Sequence, residues 1–302
     1  MTEAQITSLD TGIAPLREEG QPRHRIPVLM AGFGKMGLLV AEAVERDGDF
    51  ELFSVGFTSE RHEGEHRQIG DTNVLLFTPR RDRFPYWKYY LKEGTIVVDY
   101  STVDSVLTNA EFYIAHRLPF VMGTSTGDKE RLQRITEMVA TSDISAVIAP
   151  NMDPQIVRRQ MEIDEMAAAS PGIFEGAAVF IRESHQSTKE GDSGTARAFR
   201  EQLEGYGAHM GTGIEKIRDT ERQRKLGVPE KHLDWHAYHW VGVTNKGGSL
   251  IVAFETKVHG GDAYAEGALM AIRFLVRQMR DGTRGQVFSM ADVLRAQGEQ
   301  QL

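Results

Sequence analysis

Residues 26–37 read IPVLMAGFGKMG, a continuous apolar run that leads directly into three closely spaced glycines. The apolar run predicts a buried strand, and the glycines form a G-x-G-x-x-G pattern at the start of a helical segment. Glycines so placed permit a tight turn and let N–H groups at the helix N-terminus approach a pyrophosphate. A glycine turn that serves packing alone is the less favoured interpretation in this context. We expect the following residues to bind a dinucleotide cofactor: Gly32, Gly34, Lys35, Met36 and Gly37.

The same alternation of short apolar runs and helical segments continues outward from this stretch to residue 152. Five further runs have continuous rather than alternating apolar residues, which is typical of strands buried on both faces. These runs cover residues 51–57, 73–77, 94–101, 119–125 and 145–151. Strand and helix repetition of this kind predicts a Rossmann-like, doubly wound parallel sheet with right-handed crossovers.

Residues beyond 152 have a different pattern, in which a helical segment is followed by longer strand-like segments. These segments cover residues 176–185, 215–221, 236–245 and 249–260. The turn signal NKGG joins the last two of them. The pattern predicts a second, α+β domain with a largely antiparallel sheet, so the expected fold class is α/β with two domains.

Composition excludes several classes of function. The chain has 302 residues, 40% of them hydrophobic, which is enough for two packed domains. A net charge of −8 disfavours nucleic-acid binding, and no apolar run approaches the ~20 residues that a membrane span requires. The absence of cysteine excludes disulfides, zinc–thiolate sites and thioester chemistry. Because residues 1–25 are polar and lack the apolar core of a signal peptide, we expect a flexible tail and a cytoplasmic protein.

The residues after the second strand bear on the choice of nicotinamide cofactor. An acidic residue at this strand end would bind the ribose 2′-hydroxyl of NAD, whereas hydroxyls and an arginine suit a 2′-phosphate. Here Thr58, Ser59 and Arg61 follow the strand, which favours NADPH. Glu60 leaves NADH possible, and Arg61 as a solvated loop residue is an open alternative.

Three further strand ends are expected at the same edge of the sheet, because ligands of open α/β sheets bind outside the carboxyl ends of the strands. The segments are DYST (99–102), GTSTG (123–127) and APNM (149–152), whose small residues leave room for the nicotinamide ring. We expect cofactor contacts from Tyr100, Gly123, Thr124, Ser125, Pro150, Asn151 and Met152.

Residues 183–196, ESHQSTKEGDSGTA, combine a strand end, a polar loop and the start of a helix. Asp192 or Ser193 is expected to cap this helix, whose free N–H groups and threonine hydroxyl suit a carboxylate or phosphate. His185 can donate a proton near neutral pH, and Lys189 can add positive charge. Each residue alone is more often structural, but their placement before an anion-binding helix start favours catalysis by His185 and Lys189. The expected substrate contacts are Ser193, Gly194, Thr195 and His236.

Other histidine patterns do not predict a metal site. Residues 62–66 fit H-E-x-x-H, but the stretch is polar, contains a central glycine and lacks the helix that such a site requires. His236 and His239 lie three apart in a predicted strand, so their side chains are expected on opposite faces. Polar edges or substrate contacts are the favoured interpretation of these two.

Several motifs resemble those of the 4-hydroxy-tetrahydrodipicolinate (dihydrodipicolinate) reductase family, particularly its plant-type branch. They are GFGKMG, VVDYS, LPFVMGTSTGD, AVIAPNM, ESHQSTKEGDSGTA, GVPEKH, YAEGA and MADVL, and they extend from about Val28 to Leu294. The resemblance implies NAD(P)H-dependent reduction of a cyclic dicarboxylate in lysine biosynthesis. It also implies that His185 donates the proton, that Lys189 contacts the substrate, and that Gly194 and Thr195 bind a carboxylate.

The resemblance further implies that the last helix returns to the nucleotide domain and that the substrate domain builds a homo-oligomer, a dimer or tetramer. The expected domains are therefore residues 26–152 with 263–302 for the dinucleotide, and residues 153–262 for substrate and oligomerisation. Alternatives left open are a reductase of a different dicarboxylate or imine, and a catalytically silent NADPH sensor.

Three departures from the family pattern stand out. The glycine loop is one residue shorter than usual, and Gly261 replaces a common arginine. The loop between Lys189 and Gly194 is also shorter than in the common bacterial form, which agrees with the plant-type branch.

Overall fold

The computed structural model describes residues 25–79 and 91–298, which fold into two β-sheets with helices packed against them. The tail expected at residues 1–25 lies outside the described residues, except for Arg25. Within the described ranges, no helix is both long and apolar enough to cross a membrane.

The first sheet follows from the alternating pattern of the N-terminal half. Its nine strands are β1 (Ile26–Ala31), β2 (Phe50–Leu52), β3 (Val55–Phe57), β4 (His66–Ile69), β5 (Thr72–Phe77), β6 (Ile96–Asp99), β7 (Phe120–Met122), β8 (Ala146–Ile148) and β14 (Val287–Phe288). Their order is β14-β8-β7-β6-β1-β3-β5-β4, and β2 also pairs with β1. Every pair is parallel except β4–β5, which is antiparallel.

Helices cover both faces of this sheet. The helices of the described residues are α1 (Lys35–Arg46), α2 (Val106–Ala115), α3 (Lys129–Ala140), α4 (Pro154–Ala169), α5 (Gly194–Gly205), α6 (Thr220–Lys225), α7 (Asp262–Arg280) and α8 (Met290–Gly298). Because side chains alternate along β1, Val28 packs in a cluster with residues of α1 and α7, whereas Leu29 packs in a second cluster with residues of α2 and α3. The continuous apolar run of β1 is therefore explained by burial on both faces.

The second sheet contains β9 (Ala178–His185), β10 (His209–Met210), β11 (Glu215–Ile217), β12 (His236–Thr244) and β13 (Ile251–His259). Its order is β10-β9-β12-β13, and β11 also pairs with β9. The long pairs β9–β12 and β12–β13 are antiparallel, as expected. The short strands β10 and β11 run parallel to β9, so the sheet is mixed.

Two predicted strands differ from the structure. Residues 51–57 form two short strands, because Phe53 N–H donates to Val28 of β1 while the carbonyl of Ser54 accepts from Leu75 of β5. Residues 215–221 form a strand only to Ile217. The side chain of Asp219 accepts a hydrogen bond from Arg222 N–H at 2.8 Å and so caps α6.

The chain crosses between the sheets at two places. It leaves the first sheet after Met152 to enter α4, and it returns from β13 through Gly260 and Gly261 to α7. A Cβ atom placed at Gly267 of α7 would lie 1.6 Å from the Met152 carbonyl oxygen, so the two crossings are in close contact.

Candidate functional site

A cavity of 320 Å³ lies where the C-terminal ends of the first sheet's strands face the end of β9. It brings together residues that the sequence assigned separately to cofactor and substrate. From α1 and the loops of the first sheet come Met36, Tyr100, Gly123, Pro150, Asn151 and Met152. From the second sheet and its loops come His185, Gln186, Lys189, Ser193, Gly194, Thr195, Trp235, His236, Ala237 and Gly260, and Tyr264 completes the wall from α7.

The three glycines of the G-x-G-x-x-G loop have different reasons to lack a side chain. A Cβ atom at Gly37 would lie 2.0 Å from the Gly32 carbonyl oxygen. A Cβ atom at Gly32, where φ is +85°, would lie 2.4 Å from the Tyr100 carbonyl oxygen. A Cβ at Gly34 would meet nothing within 4 Å. Gly34 also precedes α1 without a side-chain cap. The first and third glycines are thus required by packing, while the second leaves the helix N-terminus open to an anion such as a pyrophosphate.

The loops after β6 and β7 form the adjoining wall. The Tyr100 ring fills the space beside Gly123, since a Cβ there would lie 2.4 Å from a ring carbon. Asp99 is buried and accepts hydrogen bonds from Ser101 N–H, Asn109 and Tyr113, at 2.8, 3.0 and 2.8 Å. These bonds fix the start of the loop that carries Tyr100. Thr124 and Ser125 follow in the next loop and are outside the cavity lining.

The residues after β3 lie beside the glycine loop, because Gly32 N–H donates to the carbonyl of Phe57 at 2.9 Å. Thr58 and Ser59 lead into a short 3₁₀ helix, Glu60–His62, which contains Arg61. This helix ends before the second histidine of the H-E-x-x-H pattern, which begins β4. The two imidazoles therefore do not share a helix face.

The local structure of residues 183–196 matches the prediction. β9 ends at His185, and α5 begins at Gly194 with Ser193 as its N-cap, whose hydroxyl accepts from Ala196 N–H at 3.1 Å. The Thr195 hydroxyl lies 3.4 Å from the side-chain nitrogen of Asn151, a residue predicted to contact the cofactor. The start of α5, where an anion is predicted to bind, therefore lies directly against the strand ends of the first sheet.

His185 is 7% exposed and shares a sheet face with Glu183 and His239. Its ring lies 5.2 Å from that of His239, and its Nε2 atom has no hydrogen-bond partner among the described residues. Burial, reinforced by repulsion from His239, lowers the pKa of His185 well below its ordinary value. The ligand-free site thus holds a neutral imidazole near neutral pH.

Glu183 was not predicted from the sequence, although it lies two residues before His185 on the same face of β9. It is fully buried, accepts from Ser193 N–H at 2.9 Å and forms an ion pair with Arg218. Burial alone would raise the pKa of Glu183, but these hydrogen bonds outweigh it and hold the pKa below its ordinary value. Both carboxylate oxygens are occupied, which disfavours metal binding even though donor atoms of Glu183, His185 and His239 lie within 4.8 Å of one another.

His236 and His239 point to opposite faces of β12, as their spacing predicted. His236 contributes to the cavity wall, but its ring lies 2.8 Å from the Ser184 hydroxyl and 3.1 Å from the carbonyl of His232. His239 lies on the face of His185 and contacts the Ser193 hydroxyl at 2.9 Å. Of the two, His239 is the one whose side chain contacts Ser193, a residue that was predicted to bind the substrate.

The contact between Trp235 and Gly261 explains why position 261 lacks the arginine that is common in the family. A Cβ at Gly261 would lie 2.5 Å from the Trp235 ring and 3.0 Å from the sulfur of Met36. The ammonium of Lys35 lies 5.4 Å from the centre of the indole and 3.2 Å from the Asp234 carbonyl oxygen. The indole therefore occupies the space beside position 261 and connects the second sheet to α1.

Family models and relatives agree with this architecture. The model described as "Dihydrodipicolinate reductase, N-terminus" matches residues 26–152, and the corresponding C-terminal model matches residues 159–294. The chain is 37% identical over 285 residues to probable 4-hydroxy-tetrahydrodipicolinate reductase 2, chloroplastic, of Oryza sativa subsp. japonica, covering 90% of this chain and 84% of that protein. It is 33% identical over 278 residues to 4-hydroxy-tetrahydrodipicolinate reductase 1, chloroplastic, of Arabidopsis thaliana, covering 91% and 78%.

Among solved structures, dipicolinate-bound dihydrodipicolinate reductase from Paenisporosarcina sp. TG-14 superposes with a TM-score of 0.61 at 16% identity. The match covers 88% of this chain and 97% of that one, and it shows the same fold.

The cytoplasmic location expected from the sequence is wrong, because both plant relatives are named chloroplastic. A signal peptide has an apolar core, whereas a transit peptide is amphipathic and lacks one. The polar composition of residues 1–25 therefore could not exclude a plastid protein.

Proposed function

The chain belongs to the dihydrodipicolinate reductase family, and we infer that it reduces 4-hydroxy-tetrahydrodipicolinate, or the dihydrodipicolinate formed from it by loss of water. The product is tetrahydrodipicolinate, in the diaminopimelate route to lysine. The observation that carries this inference is the single cavity shared by the strand ends of the first sheet, His185, Lys189 and the start of α5. The family does not favour the alternatives of a different dicarboxylate or imine reductase, or of a silent sensor.

A nicotinamide dinucleotide supplies the hydride, and we propose that its pyrophosphate lies at Gly34 and the N-terminus of α1. The open space at Gly34 supports this placement. We further propose a preference for NADPH, with NADH as a possible second cofactor. Thr58, Ser59 and Arg61 would surround the 2′-phosphate beside the glycine loop. The nicotinamide would lie along Tyr100, Gly123–Ser125 and residues 150–152, where small side chains leave room for a ring.

The substrate's carboxylates are proposed to bind at Lys189, Ser193, Gly194 and Thr195. Gly194 is the first residue of α5, so its N–H is free of intrahelical partners and the helix dipole favours negative charge there. Lys189 adds a full positive charge to the same cavity. His236 also lines this cavity, although its ring is hydrogen-bonded to the Ser184 hydroxyl.

His185 is proposed as the proton donor. Its neutral state in the ligand-free protein is unsuited to donation, but a bound dianion favours the imidazolium form and so raises the pKa of His185. The hydride adds to one atom of the conjugated C=N/C=C system, and the imidazolium proton neutralises the electron density that develops on the substrate. Hydride and proton together account for the two hydrogens gained.

We propose a homo-oligomer, a dimer or tetramer, built through the second sheet. β13 is an edge strand of the described sheet, and exposed apolar residues lie just before it and at its start, namely Leu250 (55%), Ile251 (53%) and Val252 (65%). An exposed apolar edge of this kind is typical of a protein interface.

The decisive experiment follows the absorbance of reduced nicotinamide after addition of 4-hydroxy-tetrahydrodipicolinate made by the preceding synthase. We expect oxidation that depends on both substrate and enzyme, and formation of tetrahydrodipicolinate in equal amount. A folded protein that binds NADPH but leaves this substrate unreduced would contradict the proposal.

A further inference from the structure

The loop of residues 186–193 carries Lys189 from the end of β9 to the start of α5. Its backbone is held by one side chain from the residue that follows β11, Arg218, which is 18% exposed. The Nε atom of Arg218 donates to the Lys189 carbonyl at 3.0 Å, and Nη2 donates to the Gly191 carbonyl at 3.1 Å. One guanidinium therefore fixes the backbone of the middle of the loop.

Glu183 connects the same guanidinium to the end of the loop. One of its oxygens accepts from Arg218, and the other accepts from Ser193 N–H at 2.9 Å. Because Ser193 caps α5, the pair holds the loop at three points, Lys189, Gly191 and Ser193. The planar fork of arginine can reach several acceptors at once, which the single ammonium of a lysine cannot do.

The pair also affects the electrostatics of the cavity. Glu183 neutralises Arg218, so that Lys189 remains the unneutralised cation at the loop. Burial is the main cause of the low pKa of His185; the positive charge of Arg218 adds to it, while Glu183 opposes it. A change at Arg218 is therefore expected to alter the pH dependence of the reaction as well as substrate binding.

We propose that Arg218 is a positioning residue that, together with Glu183, places Lys189 and the start of α5 for binding of the substrate's carboxylates. The proposal rests on the proposed function, since the loop is assigned there to substrate. It goes further in assigning the loop's geometry to a residue that touches neither substrate nor cofactor.

The test compares Arg218→Lys with Arg182→Lys. Arg182 forms a comparable ion pair with Glu215 on the same sheet, at 2.8 Å, but is 44% exposed and outside the cavity. Arg218→Lys keeps the charge and should remain folded, yet we expect kcat/KM to fall about 10²-fold through loss of loop position. KM should rise, NADPH affinity should stay unchanged, and Arg182→Lys should behave as wild type. A folded Arg218→Lys enzyme with wild-type KM would overturn the proposal.

A second variant covers the case in which Arg218→Lys does not fold. Glu183→Gln with Arg218→Gln removes both charges together, which avoids a buried unpaired charge. We expect this variant to fold, to bind pyridine-2,6-dicarboxylate at least about tenfold more weakly by calorimetry, and to shift its pH–rate profile. Wild-type binding and an unchanged profile would overturn the proposal.

Hydrogen exchange in the ligand-free protein separates this proposal from the proposed function. Amides of residues 186–193 should exchange faster in Arg218→Lys than in wild type, whichever substrate the enzyme uses. If wild type fails to reduce the expected substrate but this exchange difference is present, the assigned reaction is wrong and the role of Arg218 stands. Equal exchange in the two proteins would contradict the role of Arg218 itself.

Discussion

Two regions around the cavity are built by opposite means. The glycine edge, defined as Gly32, Gly34, Gly37 and Gly123, obtains its shape from missing side chains and close backbone contacts. The loop of residues 186–193 obtains its shape from an ion pair between buried Glu183 and partly buried Arg218. The glycine edge should therefore be damaged by adding a methyl group, whereas the loop should be damaged by removing a charge or a hydrogen-bond donor.

The largest effect is expected at His185, which lies directly before the loop of residues 186–193. His185→Ala should lower kcat by ~10²–10⁴, the usual contribution of a positioned general acid, because it removes the proposed proton donor. NADPH affinity should stay near wild type, since the glycine edge is untouched. Steady-state kinetics and cofactor titration measure both quantities, with thermal melting as the folding control. Near-normal turnover in a stable variant would move the acid to bound water or to another histidine.

At the glycine edge, Gly37→Ala and Gly34→Ala should separate packing from cofactor binding. The methyl group at position 37 meets backbone at 2.0 Å, so we expect a loss of about 1–3 kcal/mol in the free energy of unfolding. The methyl group at position 34 meets open space and should leave folding stability nearly unchanged while weakening NADPH binding. Denaturant unfolding and cofactor titration of both variants provide the comparison. Equal losses of stability would show that the two glycines do not differ as described.

Arg61→Ala tests whether a charged side chain also matters beside the glycine edge. A lost charge-assisted hydrogen bond of about 1.5–3 kcal/mol should reduce the NADPH-to-NADH ratio of kcat/KM by roughly tenfold or more. Activity with NADH should change little. A wild-type preference for NADH, or an unchanged ratio in the variant, would contradict the assignment of Thr58, Ser59 and Arg61 to the 2′-phosphate.

Acid should lower the free energy of unfolding through the buried histidines beside the loop of residues 186–193. Burial lowers the pKa of His239 from 6.5 to about 4. Between these two pH values the unfolded chain therefore binds a proton at His239 that the folded chain does not. The stability contributed by neutral His239 is present above pH 6.5 and is lost as the pH falls toward 4. His239→Gln should therefore show a shallower decrease in the free energy of unfolding across this range, although His185 contributes in the same direction. Urea unfolding at several pH values measures the free energy of unfolding of both proteins. The same dependence on pH in wild type and His239→Gln would contradict this prediction.

The smallest effect concerns the proposed interface of the second sheet. Val252→Lys places a charge on its exposed apolar edge and should shift sedimentation toward smaller species while melting changes little. Leu132→Lys, an exposed position on α3, is the matched control and should sediment as wild type. A monomeric wild-type protein would contradict the homo-oligomer.

Local patterns predicted most of the elements that surround the cavity. The strand, loop and helix of residues 26–37 and the cap at Ser193 were visible because each depends on neighbouring residues in the chain. Glu183, Arg218 and Trp235 were missed because their roles depend on strand pairing and on contacts across the two sheets. The interval of two between Glu183 and His185 was a usable signal, since it places both side chains on one face of a strand.

The contact between Gly267 and Met152 has a mechanical consequence. Both crossings of the chain between the sheets lie beside this contact, so we expect the sheets to rotate about a line that passes through it. Rotation about that line keeps Gly267 against the Met152 carbonyl, whereas rotation about other axes would separate them. We expect the opening and closing of the cavity to be a swing with a fixed pivot. Met152 should move least, and the tip of the loop at Lys189 should move most.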